Sequence, residues 1–153
     1  MIQDVTDHLK KEQAAEITEA LTILIKHFSR ETLSAAIGEV SEILVAKYMG
    51  AERERRGSPG HDLILPDGNL IEVKSRFLSL WGDKVQFNFS KHTAKAQISF
   101  CVVWTAAEGQ LPNLDMAFKI PVPFLLQTWG TPKQEKYCAR TTLGKIRSNL
   151  KTH

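Results

Sequence analysis

Two acidic residues and a lysine occupy the stretch GHDLILPDGNLIEVKS, residues 60–75, at a spacing that suits chemistry on a phosphate group. If its Pro-Asp-Gly segment forms the turn of a hairpin, the flanking strands pair Asp62 with Glu72. Directly opposed side chains have Cβ atoms about 4.5–5.5 Å apart, and like charges at that distance repel each other. Side chains alternate along a strand, so Lys74 shares a face with Glu72 while the intervening apolar residues point to the other face. The sequence therefore predicts two carboxylates and an ammonium group on one face of a hairpin.

Two close carboxylates are suitable ligands for Mg²⁺, which usually takes one or two protein carboxylates together with waters and phosphate oxygens. A lysine beside such an ion can orient or deprotonate an attacking water and neutralise charge that develops on a phosphate. The chemistry indicated is phosphodiester hydrolysis, with Asp62 and Glu72 as metal ligands and Lys74 as a catalytic group. Because the pattern is short, a surface hairpin in which Lys74 forms a salt bridge with Glu72 or Asp62 is the alternative.

The residues before the hairpin show helical periodicity. Apolar residues recur at helical spacing over about residues 18–29, after a charged, helix-favouring stretch, which predicts one long helix or two short ones. A further helix is predicted from Ser29 or Thr32 to Gly50, with the glycine as its C-cap. The main core stripe of that helix is Leu33, Ile37, Val40 and Leu44.

Strand and helix patterns alternate after the hairpin. KVQFNF, residues 84–89, carries apolar residues at every second position, and Ser90 is suited to cap a short helix after it. The apolar run ISFCVVWTA, residues 98–106, is expected to form a central strand covered on both faces. A strand around MAFKI follows, and then a helix that begins at Pro121 or Pro123. This order predicts an α/β domain with a mixed central sheet flanked by helices, preceded by an N-terminal helical segment.

Asp62, nine intervening residues and then Glu72-Val73-Lys74 resemble the PD-(D/E)xK motif of the restriction-endonuclease-like nuclease superfamily. The glycine-rich approach GSPG and the hairpin between the two acids agree with the motif, whereas His61 stands where the family usually has proline. The resemblance covers about residues 33–106 and is nearest in layout to compact type II restriction endonucleases. It implies a restriction-endonuclease-like fold.

In this superfamily a helix before the first core strand often supplies another acid, and the helix that ends at Gly50 offers Glu39 and Glu42. We choose Glu42, because its spacing to Ala46 and Gly50 resembles the family's pattern and because it shares a helix face with Val45. Glu39 is the reserve choice, and a solvated helix acid is the alternative for either. The resemblance thus implies that Glu42 joins the metal ligands and the catalytic residues.

The function that the resemblance implies is a Mg²⁺-dependent DNA endonuclease, with Mn²⁺ as a substitute for Mg²⁺ and no organic cofactor. One chain of this length supplies one catalytic site, so restriction-type cleavage of both strands would require a homodimer. Two alternatives stay open. One is a non-catalytic nucleic-acid-binding module on the same fold, and the other is a nuclease selective for junctions, flaps or mismatches, or for RNA.

Side-chain amides and basic groups read base edges and bind phosphates in protein–DNA complexes. The base-reading candidates are Gln86, Asn88, Lys91 and His92. The candidates for phosphate contacts are Arg53, Arg55, Arg56, Arg76, Lys145 and Arg147. Ordinary polarity of an edge strand and a solvated basic surface are the respective alternatives, since the formal net charge is only +3.

The chain of 153 residues is the length of one domain. We divide it into an N-terminal helical segment (1–30), a catalytic core (31–106) and a C-terminal strand, helix and basic segment (107–153). No apolar run approaches the roughly 20 residues that span a bilayer, and the N-terminus lacks the pattern of a secretion signal, so we expect a cytoplasmic protein without membrane partners. Cys101 and Cys138 have no metal-binding spacing and are expected to be free thiols.

Overall fold

The computed structural model describes seven segments of the chain. They are residues 1–13, 15–27, 30–54, 61–78, 82–105, 112–131 and 138–150. Arg55 and Arg56, two of the predicted phosphate contacts, lie outside these segments.

Five α-helices lie within the described segments, and the long ones follow the predicted periodicity. They are α1 (Thr6–Glu12), α2 (Ala15–His27), α3 (Arg30–Met49), α4 (Val122–Trp129) and α5 (Leu143–Leu150). The N-terminal helical stretch therefore forms two helices, one of the two predicted outcomes. Helix α3 is followed by Gly50, whose φ of 64° is the left-handed conformation that glycine adopts most easily at a helix C-terminus. The helix predicted after the last central strand is α4, which has Pro121 at its N-cap.

The eight described strands form two sheets. They are β1 (Gln3–Asp4), β2 (Glu52–Arg53), β3 (Leu63–Ile64), β4 (Leu70–Phe77), β5 (Gln86–Phe89), β6 (Ile98–Thr105), β7 (Asn113–Pro121) and β8 (Ala139–Thr142). Six of them make a central sheet in the order β1-β7-β6-β4-β3-β2, and β5 pairs with β8 in a separate antiparallel ribbon. Strands β4 and β6 are parallel while their other neighbours are antiparallel, so the predicted mixed α/β architecture is confirmed.

The predicted hairpin is present, and its register is the predicted one. Leu63 lies opposite Ile71 in the β3–β4 pair, and the Leu65 N–H donates to the Asn69 carbonyl at 2.8 Å, so the hairpin is symmetric about Asp67. The turn is possible because Gly68 adopts a φ of 87°.

The two faces of the central sheet are covered differently. Helices α1, α2 and α3 cover one face with an apolar cluster that includes Leu9, Leu21, Ile37, Leu44, Leu63, Ile71, Phe100, Val102 and Trp104. The β5–β8 ribbon, α4 and α5 cover the other face with a cluster that includes Phe87, Phe89, Cys101, Val103, Phe118, Ile120, Leu125, Leu143 and Ile146. Strand β6 contributes to both clusters, as predicted for a central strand.

A buried hydrogen-bond chain joins α3 to the central strand β6. The indole N–H of Trp104 donates to the Ser41 hydroxyl at 2.9 Å, and that hydroxyl donates to the Ile37 carbonyl at 2.8 Å. Both polar side chains are thereby satisfied inside the apolar cluster. This link fixes the helix that carries Glu39 and Glu42 against the sheet.

Five features differ from the sequence-based expectation. Strands β1 and β2 were not predicted. The predicted strand 84–89 is present as β5 but belongs to the ribbon instead of the central sheet, and its partner β8 was also not predicted. The short helix capped by Ser90 is a 3₁₀ helix, Lys91–Lys95. Strands β1 and β2 have two residues each, which is too short for a periodic signal.

Among the helices of the described segments, none combines the length and the apolarity that crossing a membrane requires.

Candidate active site

Glu72 and Lys74 lie on the face of the sheet that is turned away from α3. The register pairs Lys74 with Cys101 across the parallel β4–β6 pair, and Cys101 belongs to the apolar cluster under the ribbon. Ile71 and Val73 instead pack against the helix-covered cluster. The predicted alternation along β4 is therefore confirmed, and it puts the acid and the lysine together on one face.

Asp62 lies directly before β3, at the end of the hairpin. Its backbone N–H donates to the Ile71 carbonyl at 2.8 Å, and its Oδ2 accepts the backbone N–H of Val73 at 2.7 Å. Burial raises the pKa of Asp62, the hydrogen bond from Val73 opposes that shift, and the negative charge of Glu72 adds to it. The two acids thus act on each other, as their predicted pairing requires.

Glu72 is buried although its side chain ends in a carboxyl group. It is only 4% exposed. Its Oε1 lies 2.8 Å from the Lys74 Nζ, but its buried Oε2 has no hydrogen-bond partner in the part of the chain that the structure describes. Lys74 is more open, with 29% of its side chain exposed, so the ammonium group lies on the solvent side of the carboxylate. A buried carboxylate oxygen without a partner is costly and calls for a ligand.

The acids of helix α3 are bound by an arginine. Arg53, on the edge strand β2, donates to Oε2 of Glu42 from Nε at 3.2 Å and from Nη2 at 3.0 Å. Its Nη2 also lies 3.5 Å from Oε2 of Glu39. Glu42 is the more shielded acid, with a side chain 24% exposed against 41% for Glu39.

Glu42 also responds to the charge of Asp62. Burial raises the pKa of Glu42, its hydrogen bond from Arg53 opposes the shift, and the charge of Asp62 raises the pKa further. Of the two helix acids, Glu42 is therefore the one that the structure brings toward the hairpin acids. Arg53, which the sequence predicts as a phosphate contact, is in the structure the counter-ion of Glu42 and Glu39.

Ser99 is a site residue that the sequence reasoning missed. The β4–β6 register places it beside Glu72, and its other neighbour is Ile120 of the cluster under the ribbon, so the serine and the glutamate share a face. Ser99 is fully buried, and its hydroxyl has no hydrogen-bond partner among the described residues. The available signal was a polar residue inside an otherwise apolar central strand.

The base-reading candidates lie on and after the ribbon strand β5. Gln86 is exposed, and Asn88 accepts a hydrogen bond at its Oδ1 from Nε of Arg140 at 3.0 Å. The backbone N–H of His92 donates to the Ser90 hydroxyl at 3.2 Å, which caps the 3₁₀ helix.

Lys91, at the start of that 3₁₀ helix, is exposed. The pKa of the Cys138 thiol is raised, mainly by burial. The charge of Glu72 adds to this shift and the charge of Lys91 opposes it. Both charged groups are therefore within electrostatic reach of Cys138.

The candidates for phosphate contacts differ in the groups that they already contact. Arg147 of α5 donates from Nη1 to Oδ1 of Asp83 at 2.9 Å, in an exposed ion pair. Lys145 is exposed, and its backbone N–H donates to the Thr142 hydroxyl. Arg76 donates to two backbone carbonyls, those of Ser75 and Gln86. The structure thus brings Asp62, Glu72 and Lys74 together and places Glu42 within reach of the charge of Asp62.

Whether these residues fit Mg²⁺ depends on the donor atoms they offer. Asp62 and Glu72 provide carboxylate oxygens, which are the ligands that Mg²⁺ prefers. Oε2 of Glu72 has no partner among the described residues, and a bound cation would supply one. Within the described segments no three His, Cys, Asp or Glu side chains lie together closely enough to hold a metal ion. The fit is therefore to a cation held by two carboxylates, with waters and substrate oxygens as its other ligands.

No protein-family model matches this chain, and no curated protein is significantly similar to it in sequence.

Proposed function

We propose that this protein is a Mg²⁺-dependent endonuclease that hydrolyses phosphodiester bonds in DNA. The observation that carries the proposal is Glu72, a buried carboxylate with Lys74 on one oxygen and no partner on the other within the described segments. A salt bridge that only stabilised a surface hairpin would leave both groups in solvent. Here the carboxylate is 4% exposed, and a second carboxylate that repels it, Asp62, is held next to it.

Asp62 and Glu72 would hold the cation. The Val73 N–H occupies Oδ2 of Asp62, so Oδ1 is the oxygen available to a metal. When bound, Mg²⁺ polarises a phosphate group and lowers the pKa of a coordinated water. The proposal thus gives the two acids one shared task, and it explains why the hairpin tolerates their repulsion.

Lys74 would act on the water and on the charge of the phosphate. Its Nζ is anchored 2.8 Å from Oε1 of Glu72 and is partly exposed, so it can donate to an attacking water or to a non-bridging phosphate oxygen. A positioned donor at that point stabilises the negative charge that grows in the transition state. Removing it should lower the cleavage rate without removing the surface that binds DNA.

Cleavage of both strands would use two copies of the chain, since each copy carries one such pair of acids. A homodimer with two-fold symmetry would place one site on each strand of a symmetric sequence. A monomer would instead nick one strand. The pattern of plasmid products therefore reports on the functional oligomer.

The test uses purified protein with supercoiled plasmid, linear duplex, single-stranded DNA and RNA, each in Mg²⁺ and in EDTA. We expect Mg²⁺-dependent cleavage of the duplex that Lys74→Ala abolishes and Lys47→Ala, which removes an exposed lysine of α3, leaves unchanged. DNA binding without cleavage would identify a binding module. Cleavage of RNA or only of branched DNA would redirect the substrate assignment.

A further inference from the structure

We infer that Arg53 takes the place of a second metal ion beside Glu42, so that the site binds a single divalent cation. The inference rests on the proposed function and specifies its metal requirement. It gives Glu42 a different task from the one expected of a metal ligand. Glu42 binds the guanidinium group of Arg53 instead of a metal ion.

The geometry of Arg53 is that of a fixed counter-ion. Its Nε and Nη2 both donate to Oε2 of Glu42, at 3.2 and 3.0 Å, and Nη2 reaches Glu39 at 3.5 Å. A planar guanidinium with several donors holds carboxylates in this way and stays charged at any pH the protein meets. A cation approaching Oε2 of Glu42 would have to displace it.

The position of Arg53 is also fixed by its backbone. Strand β2 pairs with β3 so that Arg53 lies opposite Leu63, and the next residue, Glu54, donates its N–H to the Asp62 carbonyl at 2.8 Å. The arginine therefore starts from the strand adjacent to the hairpin acid and reaches across to α3. Its charge is delivered to Glu42, the helix acid that also responds to the charge of Asp62.

The charges of the site favour one cation. Lys74 contacts Glu72, and Arg53 contacts both Glu42 and Glu39. Within the described segments no ion pair of Asp62 is seen, so Asp62 and the unpartnered oxygen of Glu72 are the groups that a cation would compensate. Without Arg53, Glu42 would regain an uncompensated charge close to Asp62, and a second cation would find a place there.

The experiment counts bound ions by isothermal titration calorimetry with Mn²⁺ and with Mg²⁺, without DNA. We expect one ion for the wild type, one for Arg53→Lys, two for Arg53→Gln, and one for the double variant Arg53→Gln/Glu42→Gln. The lysine variant keeps the charge and so separates loss of charge from loss of the side chain. Circular dichroism checks that each variant is folded.

Glu42→Gln in the wild-type background tests the inference if Arg53→Gln does not fold. It should still bind one ion, because Glu42 is not a ligand, and loss of the ion would overturn the inference. Two ions in the wild type, or one in Arg53→Gln, would also overturn it and leave the endonuclease proposal standing. If neither the wild type nor Asp62→Asn binds an ion, the proposed function is overturned as well.

Discussion

Lys74 satisfies only one of the two carboxylate oxygens of Glu72. Its Nζ lies 2.8 Å from Oε1, while Oε2 is buried and lacks a hydrogen-bond partner in the described part of the chain. A protein that used this pair only for stability would gain more from apolar side chains of the same size. The unpartnered Oε2 of Glu72 supports the proposal that a cation binds there.

Lys74→Ala should separate catalysis from binding. We expect cleavage to fall by about 10²-fold or more, because a positioned donor or acid–base group contributes about 10²–10⁴ to a rate, while DNA affinity stays within a small factor. The same substitution leaves Glu72 buried without its cation, so the free energy of unfolding should fall by about 1–3 kcal/mol. Gel cleavage assays, fluorescence anisotropy and urea denaturation measure the three quantities. Normal cleavage by this variant would remove Lys74 from the mechanism.

Asp62→Asn should stabilise the protein in EDTA and abolish its response to Mg²⁺. Burial, and then the charge of Glu72, raise the pKa of Asp62, which means that the ionised carboxylate is less favourable in the folded than in the unfolded chain. At neutral pH that charge therefore costs stability, and asparagine removes it while its side-chain oxygen can still accept the Val73 N–H.

The measurement for Asp62→Asn is the melting temperature with and without Mg²⁺. The wild type should melt at a higher temperature in Mg²⁺ than in EDTA, because a ligand that binds only the folded state stabilises it. The variant should melt above the wild type in EDTA and show no increase in Mg²⁺. Asp67→Asn, at the exposed turn, is the matched control. It loses the hydrogen bond from the Asn69 side chain, so its melting temperature should not rise in EDTA, and its increase in Mg²⁺ should equal that of the wild type. A variant that melts below the wild type in EDTA would contradict the account of repulsion.

Local patterns were sufficient to predict most of the fold. The hairpin was predictable because its turn contains Gly68, whose φ is positive, and because alternation in β4 separates Ile71 from Glu72. Helix α3 was predictable from its apolar stripe and from Gly50 after it. The separate β5–β8 ribbon was not predictable, since it joins segments about 50 residues apart that carry no shared periodic signal.

The site was predictable to the same extent. Asp62, Glu72 and Lys74 are neighbours in one hairpin, so sequence spacing was enough to bring them together. Arg53 and Ser99 were missed in these roles because each meets its partner through a contact between different elements, β2 with α3 and β6 with β4. Whether an arginine contacts a phosphate or a glutamate depends on how these elements pack, and the spacing of residues along the chain does not predict that packing.

Lys145 and Arg147 should differ as DNA contacts although they are close in sequence. Both are exposed, but Arg147 is 2.9 Å from Asp83 and must give up that ion pair to reach a phosphate, whereas no ion pair of Lys145 is seen within the described segments. Lys145→Ala should therefore lower the slope of log K against log salt by about 0.9, the value for one phosphate contact, and Arg147→Ala should lower it less. Anisotropy titrations in Ca²⁺, over a range of salt, measure both slopes. Equal losses would show that the ion pair does not matter.

Ser99→Ala should weaken metal binding without destabilising the fold. The Ser99 hydroxyl and Oε2 of Glu72 are both buried, on the same face and in register, and neither has a hydrogen-bond partner among the described residues. When a cation is bound at Glu72, this hydroxyl is placed to donate to the carboxylate or to a coordinated water. Loss of such a supporting hydrogen bond typically costs about 10–100-fold in metal affinity.

The control for Ser99→Ala is Thr141→Val, which removes another buried hydroxyl that lacks a partner within the described segments but lies on β8. Both substitutions remove an unsatisfied polar group, so neither should lower the melting temperature in EDTA. Only Ser99→Ala should raise the Kd for Mn²⁺ in calorimetry, and Ser99→Thr should restore part of the affinity because it keeps the donor. Equal Kd values for Ser99→Ala and the wild type would show that the hydroxyl does not support the carboxylate, and the buried Oε2 would then depend on the cation alone.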